Sequence, residues 1–166
     1  MERTSIRDVE ASRTETGVDR RRIGDVLETT DVAVNRYVLE PGERFAESLH
    51  AHMDQEEVFV VLDGTATFET RRSGAGTSRA VTVSAGEAVR FEPGEFQSGR
   101  NDSRDRVTAL ALGAPRETDD IRIARISDLG EIACPDCGRG DMRIPDTGTD
   151  LVCPDCGGEL VVEEET

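Results

Sequence analysis

The chain has 166 residues, with 35 acidic and 20 basic side chains, and its formal net charge at pH 7 is −15. This balance argues against nucleic acid as a partner, because duplex binding requires a basic face. No apolar run approaches the ~20 residues of a membrane helix, and no hydrophobic segment typical of a signal peptide follows Met1. We therefore expect a cytoplasmic protein that contacts neither nucleic acid nor membrane.

Every basic residue is an arginine, so the chain contains no lysine. An excess of acidic residues suits a cytosol of high ionic strength, where abundant ions screen the self-repulsion of the surface. The composition therefore favours a halophilic microbe, such as a halophilic archaeon, as the source.

Residues 1–20 form a polar N-terminal segment that predicts no packed element. Between residues 21 and 114, short runs rich in Val, Thr and Phe alternate with turn residues such as Asp63-Gly64 and Pro93-Gly94. No segment has a convincing helical period, so the sequence predicts an all-β domain, either a sandwich or a barrel. The predicted strands span residues 32–39, 45–52, 57–62, 65–70, 80–83, 88–91 and 107–112, with a loop at 73–77.

A charged segment, 115–131, follows and is interpreted as a linker that adds at most an edge strand. Residues 132–161 form a second unit, and residues 162–166 a solvated acidic tail.

The second unit contains two near-identical motifs, Cys134-Pro-Asp-Cys137 and Cys153-Pro-Asp-Cys156, each followed by Gly. In a reducing compartment, this spacing predicts a zinc ribbon in which four thiolates surround one Zn ion. Rubredoxin-like iron and a redox-active Cys pair are weaker alternatives. Such a closed site is structural, and the acidic unit lacks aromatic residues for base stacking. We therefore expect the cysteine unit to dock against the barrel or against a protein partner.

The only histidines are His50 and His52, two residues apart on a predicted strand. Their side chains therefore share one face of the sheet. Glu57 follows after a break and is expected on the neighbouring strand. Two imidazoles and one carboxylate form a facial triad that suits a divalent transition metal with open coordination positions. Two surface histidines on an edge strand are the alternative.

The residues around these ligands resemble the two signatures of the cupin superfamily. In the first signature, HxH is followed by Glu three or four residues later and by Gly after six more. Here four residues separate His52 from Glu57, and six separate Glu57 from Gly64. The second signature is similar to Gly86 … Gly94 … Gln97 … Asn101, but it has Glu92 where the family usually has Pro. The resemblance implies a double-stranded β-helix, or jelly-roll barrel, followed by the ribbon.

Gln97 stands where the family usually has its fourth ligand, a histidine. An amide oxygen is a neutral ligand that manganese and iron accept, and some cupin sugar-phosphate isomerases use Gln in this way. The resemblance therefore implies a barrel metal (Mn, Fe, Ni or Zn) held by His50, His52 and Glu57, with Gln97 completing or flanking the shell. A barrel that binds little or no metal is the alternative.

The strand from Glu57 places Phe59 and Val61 inside the barrel and turns the apolar Val58 and Val60 outward. The outer face then needs a cover, either a second sheet layer or a partner subunit, and cupins commonly form homodimers through such surfaces. Further side chains are weaker candidates, for orienting an anionic substrate (Tyr37, Arg36, Arg90, Arg100) or as a general base (Glu92, Glu95).

Three functions remain open at this point. The first is a metal-binding protein that holds a small-molecule ligand without turnover. The second is a metal-dependent enzyme, because the resemblance covers dioxygenases, isomerases and decarboxylases. The third is a regulatory or scaffold protein that uses the ribbon for contacts with a protein partner. The fold does not decide among them, because one barrel hosts many chemistries.

Overall fold

The computed structural model describes residues 1–13, 17–72, 77–145, 147–148 and 150–162. Within these ranges, strands dominate, and the helical segments are a 3₁₀ turn at Ile6–Asp8 and helix α1 at Ile23–Val26. None of the described helices has the length and apolar character needed to cross a membrane. The strands are β1 (Ala11–Arg13), β2 (Asp19–Arg22), β3 (Ala33–Leu39), β4 (Ser48–His52), β5 (Glu56–Asp63), β6 (Thr65–Arg72), β7 (Arg79–Ser84), β8 (Ala88–Phe91), β9 (Glu95–Arg100), β10 (Val107–Ala114), β11 (Ile121–Ile126), β12 (Gly130–Glu131), β13 (Met142–Arg143), β14 (Leu151–Val152) and β15 (Glu159–Leu160).

Two antiparallel sheets enclose the interior. One has the order β1-β2-β3-β10-β5-β8, and the other has the order β15-β14-β13-β11-β4-β9-β6-β7, with β12 paired to β11. Aromatic side chains from both sheets meet in the core: the ring centroids of Phe59 on β5 and Phe68 on β6 are 4.9 Å apart. The predicted all-β barrel is confirmed.

The interior changes from apolar to polar along β5. Val61 and Phe59 are buried in the aromatic core, whereas Glu57, the next residue on the same face, lines a cavity. The core therefore fills one end of the barrel and leaves the other end open for polar side chains.

The predicted strands between residues 32 and 112 are present, with ends shifted by up to three residues. The strand β9 was not predicted. Its burial pattern explains the omission, because Phe96, Gln97, Ser98 and Gly99 are all buried and give no alternation of polar and apolar residues. The predicted loop at 73–77 lies largely outside the described residues.

Part of the N-terminal segment is packed, contrary to the expectation for residues 1–20, although residues 1–8 are mostly exposed. Strands β1 and β2 form a hairpin that extends the first sheet beyond β3. Val9 and Val18 anchor it and are 5 % and 1 % exposed. The sequence did not reveal this hairpin because its strand positions are occupied mainly by charged residues, whose burial depends on tertiary contacts.

The segment 115–131 contributes β11, which is not an edge strand. It pairs with β4 on one side and with β13 on the other. Ile123 lies opposite His50 in one pairing and opposite Met142 in the other. The cysteine unit therefore contacts the barrel, as expected, and does so through a continuous sheet. The predicted domain boundaries stay a prediction.

The outer face of β5 has no second layer among the described residues. Val58 and Val60 are half-buried, and Leu62 is 49 % exposed. The sequence predicts that either a second sheet layer or a partner subunit packs on this face. The described part of the chain contains no such sheet layer, and the homodimer stays a prediction.

Candidate metal centre

Both histidines of β4 point into the barrel interior because the side chains on the other face of the strand are buried against other residues. Leu49 and Ala51 are 1 % and 0 % exposed and pack with Phe96 and Ala124. Since side chains alternate along a strand, burial of these two residues sets the parity of the whole strand. His50 and His52 therefore point to the opposite side, into the cavity.

Glu57 approaches the histidines from the opposite sheet. The sequence predicts that it lies on a neighbouring strand, and that prediction is wrong. Strand β5 pairs with β10 and β8, whereas β4 pairs with β11 and β9. The short connection at 53–55 crosses between the sheets. The carboxylate therefore meets the imidazoles across the barrel interior.

The three side chains converge closely. One ligand atom from each of His50, His52 and Glu57 can be chosen so that all lie within 4.8 Å of one another. Nε2 of His52 is 3.5 Å from Oε2 of Glu57. The imidazole rings have centroids 5.2 Å apart and planes at 79°, so the two rings approach the centre from different directions.

A backbone contact orients His50. Its Nδ1 lies 3.2 Å from the carbonyl oxygen of Ser48, to which a protonated Nδ1 donates. That hydrogen bond leaves Nε2 without a proton, and its lone pair is directed toward Gln97 and the cavity. Proteins usually orient a metal-binding histidine in this way, through a hydrogen bond from the ring nitrogen that does not bind the metal.

Gln97 lies directly opposite His50 in the β4–β9 pairing and is 3 % exposed. Its Nε2 donates to Oε2 of Glu57 at 2.9 Å and lies 3.3 Å from Nε2 of His50. The structure thus brings Gln97 to the same centre as the three predicted ligands. A half-turn of the amide would present its oxygen there instead.

Burial shifts the protonation of all three groups toward their neutral forms. Desolvation lowers the pKa of His50, against the hydrogen bond to Ser48. Desolvation, together with the charge of His50, lowers the pKa of His52 to about 4. Desolvation raises the pKa of Glu57 to about 7, although the hydrogen bond from Gln97 opposes it. The imidazoles are therefore neutral and able to coordinate at pH 7, and a bound cation would favour the ionised form of Glu57.

The donor set fits a divalent transition metal. Two imidazoles and a carboxylate are ligands of that class. Two buried polar atoms at the centre, Nδ1 of His52 and Oε1 of Gln97, have no hydrogen-bond partner among the described residues. Buried polar atoms rarely remain unsatisfied, so these two atoms are consistent with a bound ion or ligand as the missing partner.

The centre opens into a cavity of about 430 Å³. Tyr37 lines it, as the sequence suggested, but three other candidates do not. Arg36 lies in a separate recess, Arg90 pairs with Glu56 and Glu92, and Arg100 pairs with Asp102.

Arginines that the sequence did not single out line the cavity instead: Arg20, Arg22 and Arg116. The first two belong to the unpredicted strand β2, so their register could not be assigned. Neither Glu92 nor Glu95 is among the residues that line the cavity. Glu95 accepts a hydrogen bond from Thr70 at 2.9 Å.

The four cysteines form a second cluster. Ligand atoms of Cys134, Cys137, Cys153 and Cys156 lie within 4.8 Å of one another. Each motif makes the same turn, in which Gly138 N–H donates to Cys134 C=O and Gly157 N–H to Cys153 C=O. Both glycines adopt the left-handed region, with φ of 75° and 76°, where a residue with a side chain would be strained.

The protein environment shifts the pKa values of the thiols in opposite directions. The pKa of Cys156 is raised to about 12, against the hydrogen bond from Gly158 N–H, by the neighbouring thiols of Cys134 and Cys137. Backbone N–H groups, that of Cys156 first, lower the pKa of Cys153 to about 7. Four thiolates in two facing turns fit a small zinc site with no position left for a substrate.

Comparison with known proteins finds one family match and solved structures with a similar fold. Residues 35–113 match the Cupin_2 family, described as a cupin domain. A sugar phosphate isomerase of the cupin superfamily from Silicibacter pomeroyi is similar in structure, with 18 % identity, a TM-score of 0.66 and coverage of 95 % of this chain and 96 % of that chain. A putative sugar phosphate isomerase from Acidithiobacillus ferrooxidans has 17 % identity, a TM-score of 0.58 and coverage of 90 % and 83 %.

A recombinant oxalate oxidase in complex with glycolate is also similar, with 17 % identity, a TM-score of 0.58 and coverage of 72 % of this chain and 61 % of that chain. At these identities, the similarity establishes the fold alone. No curated protein matches the chain in sequence.

Proposed function

We propose that this cupin-fold protein binds a divalent transition metal through His50, His52 and Glu57, and holds a small molecule against that metal. Gln97 completes or flanks the metal shell. The observation that carries the proposal is the convergence of three donor groups, within 4.8 Å, from two opposite sheets onto a cavity of about 430 Å³. The identity of the metal, among Mn, Fe, Ni and Zn, is left to measurement.

The metal, when bound, supplies a Lewis acid with positions open to a ligand. The protein residues supply orientation. Ser48 holds the ring of His50 through Nδ1, and Gln97 holds the carboxylate of Glu57 through its N–H. The rigid sheets on both sides keep these groups in place, which is a requirement for a preorganised site.

A metal-dependent enzyme is the second candidate function. It is favoured by the cavity beside the centre and by structural neighbours that include sugar phosphate isomerases and an oxalate oxidase. However, Glu57 is the only carboxylate that lines the cavity among the residues that the structure describes, so these residues supply no separate Asp or Glu as a general base. The lining residues therefore favour binding of a small molecule over its turnover.

We propose a structural role for the cysteine cluster, with zinc as its metal. Met142, Leu151 and Ile132 pack around the two buried cysteines in a small apolar cluster. Units below about 40 residues usually need a metal, disulfides or association with another unit for stability, and here both the pairing of β13 with β11 and a bound metal would contribute. The sequence also predicts that this unit binds a protein partner, that the chain forms a homodimer and that it is cytoplasmic. These three predictions remain proposals.

Metal analysis of the purified protein tests the metal centre. We expect two metal ions per chain, one labile in the barrel and one tightly held by the cysteines. His50→Ala and Glu57→Gln should lose the barrel metal alone.

Glu56→Gln is the matched control. Glu56 is the adjacent residue on β5, and it faces outward, where it pairs with Arg90 at 2.7 Å. If His50→Ala and Glu57→Gln retain the same metal content as Glu56→Gln, the barrel centre is not a metal site.

A further inference from the structure

The cavity beside the metal centre has a cationic wall. Arg20 and Arg22 reach the cavity from β2, and Arg116 reaches it from the segment after β10. The whole chain carries a formal charge of −15, so three guanidinium groups around one cavity run against the composition. Such a local excess of positive charge attracts anions into the cavity.

The three arginines differ in how far their charge is already neutralised. Nη2 of Arg116 lies 2.6 Å from Oδ1 of Asp25, and its Nη1 donates to the carbonyl of Thr29. Nη1 of Arg22 lies 3.9 Å from the other oxygen of Asp25. Nε of Arg116 also lies 3.6 Å from Oε1 of Glu117, so these two cations are paired with two carboxylates, Asp25 and Glu117.

Among the described residues, Arg20 is the one of these three arginines that has no ion-pair partner. Its Nε is buried without a hydrogen-bond partner in that part of the chain. Leaving a buried donor unsatisfied is costly, and the cost is larger for a charged group. A ligand oxygen that accepts a hydrogen bond from this Nε would remove this cost.

The sheet register places Arg20 across the cavity from the metal centre. Arg20 lies opposite Tyr37 on β3, and β3 is joined to β5 through β10. At ~4.8 Å per strand, three strand intervals separate the backbones of β2 and β5 by roughly 14 Å. Ala111 lies at an inward position between them, and its small side chain leaves part of this space open. The space beside Gly113 is filled by the side chain of Gln55.

Tyr37 lies opposite Arg20 in the β2–β3 pairing and lines the same cavity as Glu57. Burial raises the pKa of its hydroxyl, a hydrogen bond and the charge of Arg20 lower it, and the charge of Glu57 raises it. The hydroxyl is thus within electrostatic reach of both Arg20 and Glu57. It can donate to a ligand oxygen that Arg20 also contacts.

We propose that the cavity binds a small organic anion, with its carboxylate or phosphate group on Arg20 and Tyr37 and a second oxygen directed at the metal. The inference names the ligand class for the metal centre proposed above and rests on that centre. The volume of about 430 Å³ lies toward the lower end of small-molecule sites and therefore favours a compact ligand.

Calorimetric titration of the metal-loaded full chain at low chloride tests the proposal. The probes are two matched pairs, ribose 5-phosphate with ribose and glycerate with glycerol, which separate a phosphate from a carboxylate and each anion from a neutral analogue. We expect at least one anion to bind more tightly than its neutral analogue. Arg20→Gln should weaken that binding roughly ten- to hundredfold, the range of a charged hydrogen bond.

Arg36→Gln is the matched control, because Arg36 neighbours Tyr37 on β3 but lines a different recess. Tyr37→Phe, which keeps the ring, should weaken anion binding less than Arg20→Gln does. Metal content and the far-ultraviolet spectrum are measured for each variant and should match those of the parent.

The possible outcomes separate the two proposals. If the parent binds each neutral probe as well as its anion, or if Arg20→Gln binds the anion like Arg36→Gln, the anion site is refuted. If the parent holds no barrel metal, the metal centre fails. The anion site is then judged from the same Arg20→Gln and Arg36→Gln titrations of the metal-free cavity.

Discussion

Glu57 should destabilise the metal-free barrel above neutral pH, and Glu57→Gln should relieve this destabilisation. Burial raises the pKa of Glu57 to about 7 from its ordinary value of 4.5. The folded state therefore binds more protons than the unfolded state between these values, so stability falls as the pH rises through this window. At 1.36 kcal/mol per pH unit, the difference between about 7 and 4.5 corresponds to about 3 kcal/mol. The glutamine variant carries no ionisable group and avoids this cost.

Urea denaturation of the parent and the variant, after the labile barrel metal has been removed and the cysteine-bound metal retained, measures the effect. The gain from Glu57→Gln should be near zero at pH 4.5 and should approach about 3 kcal/mol at pH 8. The same substitution should lower the affinity of the barrel for metal, so stability and metal binding change in opposite directions. Glu56→Gln, which alters an outward carboxylate paired with Arg90, should show no such pH-dependent gain. A Glu57→Gln variant that is equally or less stable than the parent at pH 8 would refute the electrostatic reasoning.

Two further perturbations test the core and the cysteine unit. Phe68 is 0 % exposed and contacts Phe45, Phe59 and Phe91, so Phe68→Ala should lower the free energy of unfolding by about 3–5 kcal/mol; a loss below about 1 kcal/mol in urea denaturation would contradict this packing. Cys134→Ser should remove one metal ion per chain and abolish hydrogen-exchange protection in β13–β15, because a four-thiolate site contributes directly to the folding of the unit around it. Protection of β5 and β10 should persist, and its loss would show that the barrel cannot fold without the cysteine-bound metal.

The parts of the fold that the sequence predicts well are those with a local signal. The turn pairs Asp63-Gly64 and Pro93-Gly94, together with runs of alternating residues, locate most strands of the barrel. The His50 and His52 pair shares a face because strand parity is a local property. The four cysteines cluster because two matched motifs carry the geometry of their own turns.

The missing parts depend on contacts between distant segments. Glu57 lies in the opposite sheet from the histidines, and no local pattern distinguishes that arrangement from an adjacent strand. Strand β9 is buried on both faces, so alternation cannot reveal it. Arg20 enters the cavity only because a polar N-terminal hairpin pairs with β3. The run Asp19–Arg22, with Arg20 and Arg22 two residues apart, is the one signal of this hairpin in the sequence.

The position of β11 has a consequence for any shortened form of this protein. Its outer edge is covered by β13 through the pairs Arg122↔Arg143 and Ile123↔Met142. A chain that ends before Ile132 would expose those backbone N–H and C=O groups beside the strand that carries both histidines. An uncovered edge is a template for intermolecular strand addition, so the truncated barrel should self-associate and aggregate where the intact chain does not.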